Sequence, residues 1–202
     1  MKPPNFLTMT PQRLHADSLS QTQGILKAYL QGALHDGTQS RMHGTHRIAQ
    51  KNVEWLNLIQ FVLQELGHRS WIYREGKTRD VHILETSARF LQIDFDPEEL
   101  TDLYEKIAYA RGYFDAEGGV PKTPRNRFYI QICQKDREEL GKVRDILEEV
   151  SISCGRIHNP SVKVDPDYWR FFVRTQSHRR FAEIIGSWHP LKDAVFKTRM
   201  MI

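Results

Sequence analysis

Two nine-residue stretches, Tyr29-Leu30-Gln31-Gly32-Ala33-Leu34-His35-Asp36-Gly37 and Ala110-Arg111-Gly112-Tyr113-Phe114-Asp115-Ala116-Glu117-Gly118, end in an acid followed by glycine, 81 residues apart. Each closes an apolar helical run, residues 25–35 and 103–116. A short polar stretch follows in both copies, then an alternating segment, 46–51 and 128–135, with the pair Gln50-Lys51 recurring as Gln134-Lys135. An amphipathic helix comes next each time. Residues 52–66 carry Val53, Leu56, Ile59, Val62, Leu63 and Leu66 on one stripe, and residues 136–150 carry Leu140, Val143, Ile146, Leu147 and Val150. Strand-like segments at 69–74 and 80–84 in the first copy answer to 155–158 and 168–173 in the second, and a short helix is expected to close each copy, at 86–91 and 177–187.

The order helix, two strands, helix, two strands, helix therefore occurs twice. The fold class expected is α+β: two pseudo-symmetric αββαββα repeats, residues 1–95 (with a short N-terminal extension) and 96–202, each with an antiparallel sheet. The joint falls at residues 94–98, where Pro97 suits an early helix position.

Composition narrows the function. The 202 residues carry 29 Lys+Arg against 25 Asp+Glu, a net charge of +4, and are 40% hydrophobic. Disordered and collagen-like classes are excluded, and the chain can bury a real core. No run approaches the ~18 apolar residues that cross a bilayer. The first ten residues hold two prolines and no apolar core of a secretory leader. Cys133 and Cys154 are too few for a disulfide framework and read as buried small hydrophobes. A cytoplasmic, organellar or nucleoid setting is expected, without secretion. His43 and His46 are three apart without a matching finger pair, which excludes structural zinc. Trp55, Trp71, Trp169 and Trp188 read as core or edge packing.

The second stretch, with glycine third, aspartate sixth, alanine seventh, acid eighth and glycine ninth, resembles the signature of the LAGLIDADG homing endonuclease family. The first keeps the terminal acid and glycine; Gly32 is one position late and His35 stands where a small residue is usual. The Gln-Lys strand ends, the helices after them and Ile185-Gly186-Ser187-Trp188-His189-Pro190-Leu191-Lys192 also look like the family, so the resemblance spans roughly residues 22–200.

The residues make physical sense beside that name. Gly112 and Ala116 lie on one helix face and lack bulk, so a second helix, at Gly32, can approach closely. A carboxylate at a helix C-terminus opposes the macrodipole by ~0.3–1 kcal/mol, and Asp36 and Glu117 both accept that cost. If the two helices pack side by side these acids meet, and like charges that close require a cation. Oxygen ligands suit Mg²⁺ or Mn²⁺, which polarises a phosphate and lowers the pKa of a bound water. The resemblance implies that Asp36 and Glu117 hold this metal and cut one DNA strand each. It also implies that Gln50 and Gln134 order water near the scissile phosphates, and that Lys192 stabilises the developing charge. The first copy shows no equivalent lysine.

The strand through Arg127, Tyr129 and Gln131 alternates these with apolar residues, so one polar face suits the major groove at ~1–3 kcal/mol of discrimination per bidentate contact. The same parity places Ser40, Arg47, Arg74, Asp80 and His82 on the first half's face, and Thr123, Arg125, Arg156, His158 and Arg170 on the second's. Lys51, Lys77, Lys122, Lys135 and Lys163 would meet phosphates. The expected function is a monomeric, Mg-dependent, site-specific DNA endonuclease that makes double-strand breaks at a duplex site of ~20 base pairs, two half-sites set by the helical repeat. The alternatives are a LAGLIDADG regulator with decayed chemistry that only binds DNA, an intron RNA maturase whose partner is RNA, and an interaction protein whose repeat is architectural.

Overall fold

The computed structural model describes residues 16–40, 42–76, 78–123 and 125–200, the side chains of residues 16–19 and 36 apart. In the first half α1 (Ala16–Ala33) continues into a 3-10 turn, Leu34–Asp36. It is followed by β1 (Gly37–Ser40), β2 (Thr45–Gln50), α2 (Val53–Glu65), β3 (Ser70–Arg74) and β4 (His82–Thr86). A 3-10 turn at Pro97–Glu99 leads to α3 (Leu103–Glu117), β5 (Gly118–Gly119), β6 (Gln131–Gln134), α4 (Arg137–Glu149), β7 (Trp169–Phe172), α5 (His178–Ile184) and α6 (Pro190–Met200).

Side-chain caps set where the helices begin. Asn52 accepts from the Trp55 amide to start α2, Asp102 from Tyr104 and Glu105 to start α3, and Asp136 from Glu138 and Glu139 to start α4. The equivalent helices α2 and α4 also end alike. Gly67 and Ser151 both take a positive φ, of 77° and 61°. Their amides return to Gln64 and Glu148, and the next amides to Leu63 and Leu147, which closes a Schellman motif in each half.

All strand pairs are antiparallel, in the order β1-β2-β4-β3 in one sheet and β5-β6-β7 in the other. Ile48 pairs with Leu84, which pairs with Ile72, and this row faces the core beneath Trp55, Leu56, Ile59 and Leu63. Ile132 opposite Phe171 plays the same part with Leu140, Val143 and Leu147.

The halves are less alike than the repeat suggests. Residues 86–91 do not form the closing helix expected of the first copy. Thr86 is the last residue of β4; its hydroxyl donates to the Arg69 carbonyl and accepts from the Ala88 amide, which turns the chain out of the strand without starting a helix. The strand expected at 155–158 is reduced to two bridges, Cys154 with Val173 and His158 with Arg170. One extra residue on that side makes a bulge that interrupts the ladder. Residues 128–130 alternate without joining β6, and 37–40, expected as a polar connection, forms β1. Helix α6 was not anticipated, although Pro190 at its start and Lys197 and Arg199 in its last turn are helix-end signals. Cys133 is half-buried rather than core, its thiol donating to the Glu117 carbonyl.

Candidate active site at the junction of the two repeats

Helices α1 and α3 touch backbone to backbone. A Cβ on Gly32 would lie 2.1 Å from the Tyr109 carbonyl oxygen and 2.7 Å from the Tyr113 nitrogen. One on Gly112 would lie 2.0 Å from the Tyr29 oxygen and 2.8 Å from the Ala33 nitrogen. The two contacts are images of one another, and they pair Tyr29 with Tyr109, Gly32 with Gly112 and Ala33 with Tyr113. Ala116 is half-buried against the core rather than at this closest approach.

This geometry corrects the register read from the acids. Counting back from Asp36 and Glu117 makes Gly32 late and sets His35 against Ala116; the packing instead sets His35 against Asp115. The first copy has one residue fewer between glycine and acid, and the 3-10 turn Leu34–Asp36 absorbs the difference. One α step and three 3-10 steps advance the chain ~7.5 Å, as five α steps do. The terminal glycines fit the same account. Gly37 donates its amide to the Leu34 carbonyl and Gly118 to that of Phe114. A Cβ there would meet Leu34 Cδ1 at 2.7 Å or Phe114 Cδ2 at 2.1 Å. Both glycines have extended backbones, so space, not a left-handed φ, demands them.

The two motif acids thus stand at the ends of adjoining helices. The Asp36 side chain lies outside the described residues. Glu117, half-buried, ends α3. Just before it the Lys192 ammonium, brought by α6, donates to the Phe114 and Asp115 carbonyls at 2.7 Å each, which offsets the negative end of the helix. Asp115 itself is fully buried. It accepts from the Tyr29 hydroxyl at 2.8 Å, the Trp188 amide at 2.9 Å and the Ser187 hydroxyl. Burial pushes its carboxyl pKa up, while Lys192 and these donors oppose the rise. Gln50 and Gln134 occupy the core-facing row at the ends of β2 and β6, opposite His82 and Trp169. Burial first, then Glu139, Tyr109 and Glu117, push the pKa of the buried Tyr113 hydroxyl well up.

The opposite sheet faces carry the remaining candidates. In the first half Thr38, Ser40, Thr45, Arg47, Tyr73, Trp71 and Glu85 share the outer face by register. Arg74 and His82 do not belong with Arg47: they pair with one another and with Gln50 on the other face, because each is an odd number of ladder steps from the Arg47 row. Arg47 donates to the Tyr73 hydroxyl at 2.5 Å, and Tyr73 and Thr45 donate to Glu85 at 2.9 and 2.6 Å. The Thr45 hydrogen bond foremost holds the Glu85 pKa low. Asp80, Thr123 and Arg125 are exposed loop residues, not strand residues. In the second half Gln131, Arg170, Phe172 and His158 share the outer face, with exposed Arg127 and Tyr129 just before β6. The Arg170 guanidinium lies 5.2 Å from the Phe172 ring centre, and Tyr129 and His158 flank that ring at 6.1 and 6.3 Å. Arg156 is exposed on the bulged edge, and Lys77 lies outside the described residues.

Sequence reasoning missed Glu85 and Tyr73 on the outer face, and Tyr29, Tyr109, Trp55, Glu139 and Ser187 at the junction. A signal for the tyrosines was present: each stands three residues before its glycine, Tyr29 before Gly32 and Tyr109 before Gly112.

Residues 105–186 match the model of the LAGLIDADG-like domain. The chain is 30% identical over 194 residues to the homing endonuclease I-ApeI of Aeropyrum pernix, covering 84% of this chain and 85% of that protein. Solved structures share the fold. The structure of I-DmoI in complex with DNA and Mn superposes with a TM-score of 0.60 at 21% identity, over 81% of this chain and 97% of that one. The N-terminal LAGLIDADG domain of DUF199/WhiA gives 0.62 at 16%, over 81% and 82%. Motif, duplication, the glycine-mediated helix pair and a relative matched along most of its length agree: the chain belongs to the LAGLIDADG homing endonuclease family.

Proposed function

We propose that this chain is a monomeric, divalent-metal-dependent, site-specific DNA endonuclease that makes double-strand breaks at a pseudo-palindromic duplex of ~20 base pairs, two half-sites set by the helical repeat. Its repeats, 1–95 and 96–202, each present one outer sheet face to a half-site. The single observation that carries the reading is the backbone contact at Gly32 and Gly112, which brings the ends of two acid-terminated helices together.

Asp36 and Glu117 fit a hard cation by donor chemistry: two carboxylates at two negative helix ends, with a lysine spaced to hold α3. Such a cation, Mg²⁺ or Mn²⁺, supplies Lewis acidity toward a phosphodiester. The chain's own residues do the rest. Lys192 stands by Glu117, where a cation can stabilise charge building on the phosphate oxygens. Gln50 and Gln134, at the strand ends next to the helix junction, orient water. Arg47, Gln131, Arg170 and Tyr129 face the groove, and Lys51, Lys122, Lys135 and Lys163 meet phosphates, giving affinity that falls as salt rises. Among the described residues no helix is long and apolar enough to cross a membrane.

The test is incubation with a randomised duplex library, with Mg²⁺ and with chelator, followed by sequencing of the ends. Recurrent Mg²⁺-dependent breaks at one site are expected. Asp36→Asn and Glu117→Gln should each abolish double-strand breaks and leave binding intact. Enrichment of a bound sequence without new ends would overturn the reading in favour of a binding protein.

A further inference from the structure

The helix pair carries two image-related clusters that have diverged in chemistry. In one, the Trp55 indole donates to the Tyr29 hydroxyl at 3.0 Å, and Tyr29 donates to Asp115. In the other, the Tyr109 hydroxyl meets His35 Nε2 at 2.8 Å and His35 Nδ1 meets Glu139 Oε1 at 3.1 Å. Tyr109 is the image of Tyr29 and His35 that of Asp115. Glu139 is the image of Trp55, each being the third residue after its helix cap, Asp136 or Asn52. Both imidazole nitrogens are engaged, the Tyr113 ring lies 4.4 Å away, and the His35 side chain is only 10% exposed. The tyrosine and glutamate both come from the second repeat, on α3 and α4; His35 belongs to the first.

The two motif ends are also held differently. Beside Glu117, Asp115 accepts from Ser187 and Trp188, and Lys192 ties the last carbonyls of α3. Beside Asp36 the corresponding position is His35, on a 3-10 turn whose start has no side-chain cap. We infer that His35, gripped across the repeat interface by Tyr109 and Glu139, is the positioning residue that fixes the turn bearing Asp36, so that one repeat sets the cutting geometry of the other. This rests on the nuclease reading above. The turn bearing Asp36 takes its side-chain hold, at His35, from the opposite half, whereas beside Glu117 the Asp115 carboxylate takes Tyr29 from the opposite half and Ser187 and Trp188 from its own.

The experiment follows the two strands separately, on a duplex recovered by wild-type cleavage of the randomised library and labelled differently on each strand. Asp36→Asn identifies the strand that Asp36 serves. His35→Ala and Glu139→Leu should slow that strand about tenfold or more relative to the other, the usual scale for groups supporting a metal ligand. Glu139→Gln, which keeps the acceptor for His35 Nδ1, should hold the strand ratio near wild type. The ratio does not depend on how much protein is folded, so a general loss of stability cannot imitate it. An unchanged ratio, or slowing of the Glu117 strand instead, overturns the inference and leaves the nuclease reading standing. A wild-type protein that cuts neither strand of any duplex overturns both.

Discussion

Replacing Gly112 by alanine should separate the repeats and damage catalysis together. The added Cβ would sit 2.0 Å from the Tyr29 carbonyl oxygen and 2.8 Å from the Ala33 nitrogen. These are backbone atoms of a helix and cannot swing aside. Recovering an ordinary contact of ~3.5 Å requires α1 and α3 to part by about 1.5 Å, along a seam lined by the fully buried Tyr29, Tyr109 and Tyr113. Overpacking typically costs ~1–3 kcal/mol, and unyielding backbone puts this site at the top of that range or above. A protein of this size loses ~2–4 °C of Tm per kcal/mol, so a fall of roughly 6–12 °C is expected in a thermal melt. The shift is passed to the two motif acids, and ~1 Å of misplacement can cost ~10²-fold in rate. Gly141→Ala is the control. It is also a helical glycine, but its Cβ would meet nothing within 4 Å, so it should gain ~0.5–1 kcal/mol. If Gly112→Ala melts and cuts like wild type, the helices do not meet as described and the shared site is refuted.

Asp115→Asn should cost ~1.5–3 kcal/mol in a denaturant titration, because an amide group would be set against donors from Tyr29, Ser187 and Trp188 that now share one carboxylate. Ser151→Gly should add ~1 kcal/mol by relieving a left-handed residue at 61° where the other half already uses Gly67; an unchanged midpoint would count against that strain. The half-buried pair of His35 and Glu139 at the interface predicts opposite pH slopes. Burial pushes Glu139 up to about 7 and His35 down to about 4. With His35→Gln, the folded state retains a proton on Glu139 that the unfolded chain has lost, so stability should fall as pH rises from about 4.5 to 7. With Glu139→Gln, the unfolded chain binds a proton on His35 that the folded state refuses, so stability should rise from about pH 4 to 6.5. The two effects cancel between about 4.5 and 6.5 in the parent protein. Slopes of the same sign in the two variants would disprove the assignment.

Much of the molecule was legible because local rules agree with one another. The stripes on α2 and α4 report one buried face, and the acid-glycine ends mark where α1 and α3 stop. The resemblance of Ala110 to Gly118 to a family signature carried the function. Segments whose structure depends on a neighbour were not legible. Thr86 belongs to a strand because β2 and β3 pair with it, and residues 155–158 lose their ladder to a bulge opposite β7.

The duplication, the helices α1 to α4 and the two acids could be read along the chain, because periodicity and motif are properties of residues near one another in it. The register between the halves is a property of the packed molecule. Nothing local shows that a 3-10 turn has absorbed a missing residue, that His35 therefore answers to Asp115, or that Arg74 and His82 face away from Arg47. Those facts are set by two helix backbones in contact at Gly32 and Gly112 and by strand pairing between distant segments, and long-range contact is what a local pattern does not encode.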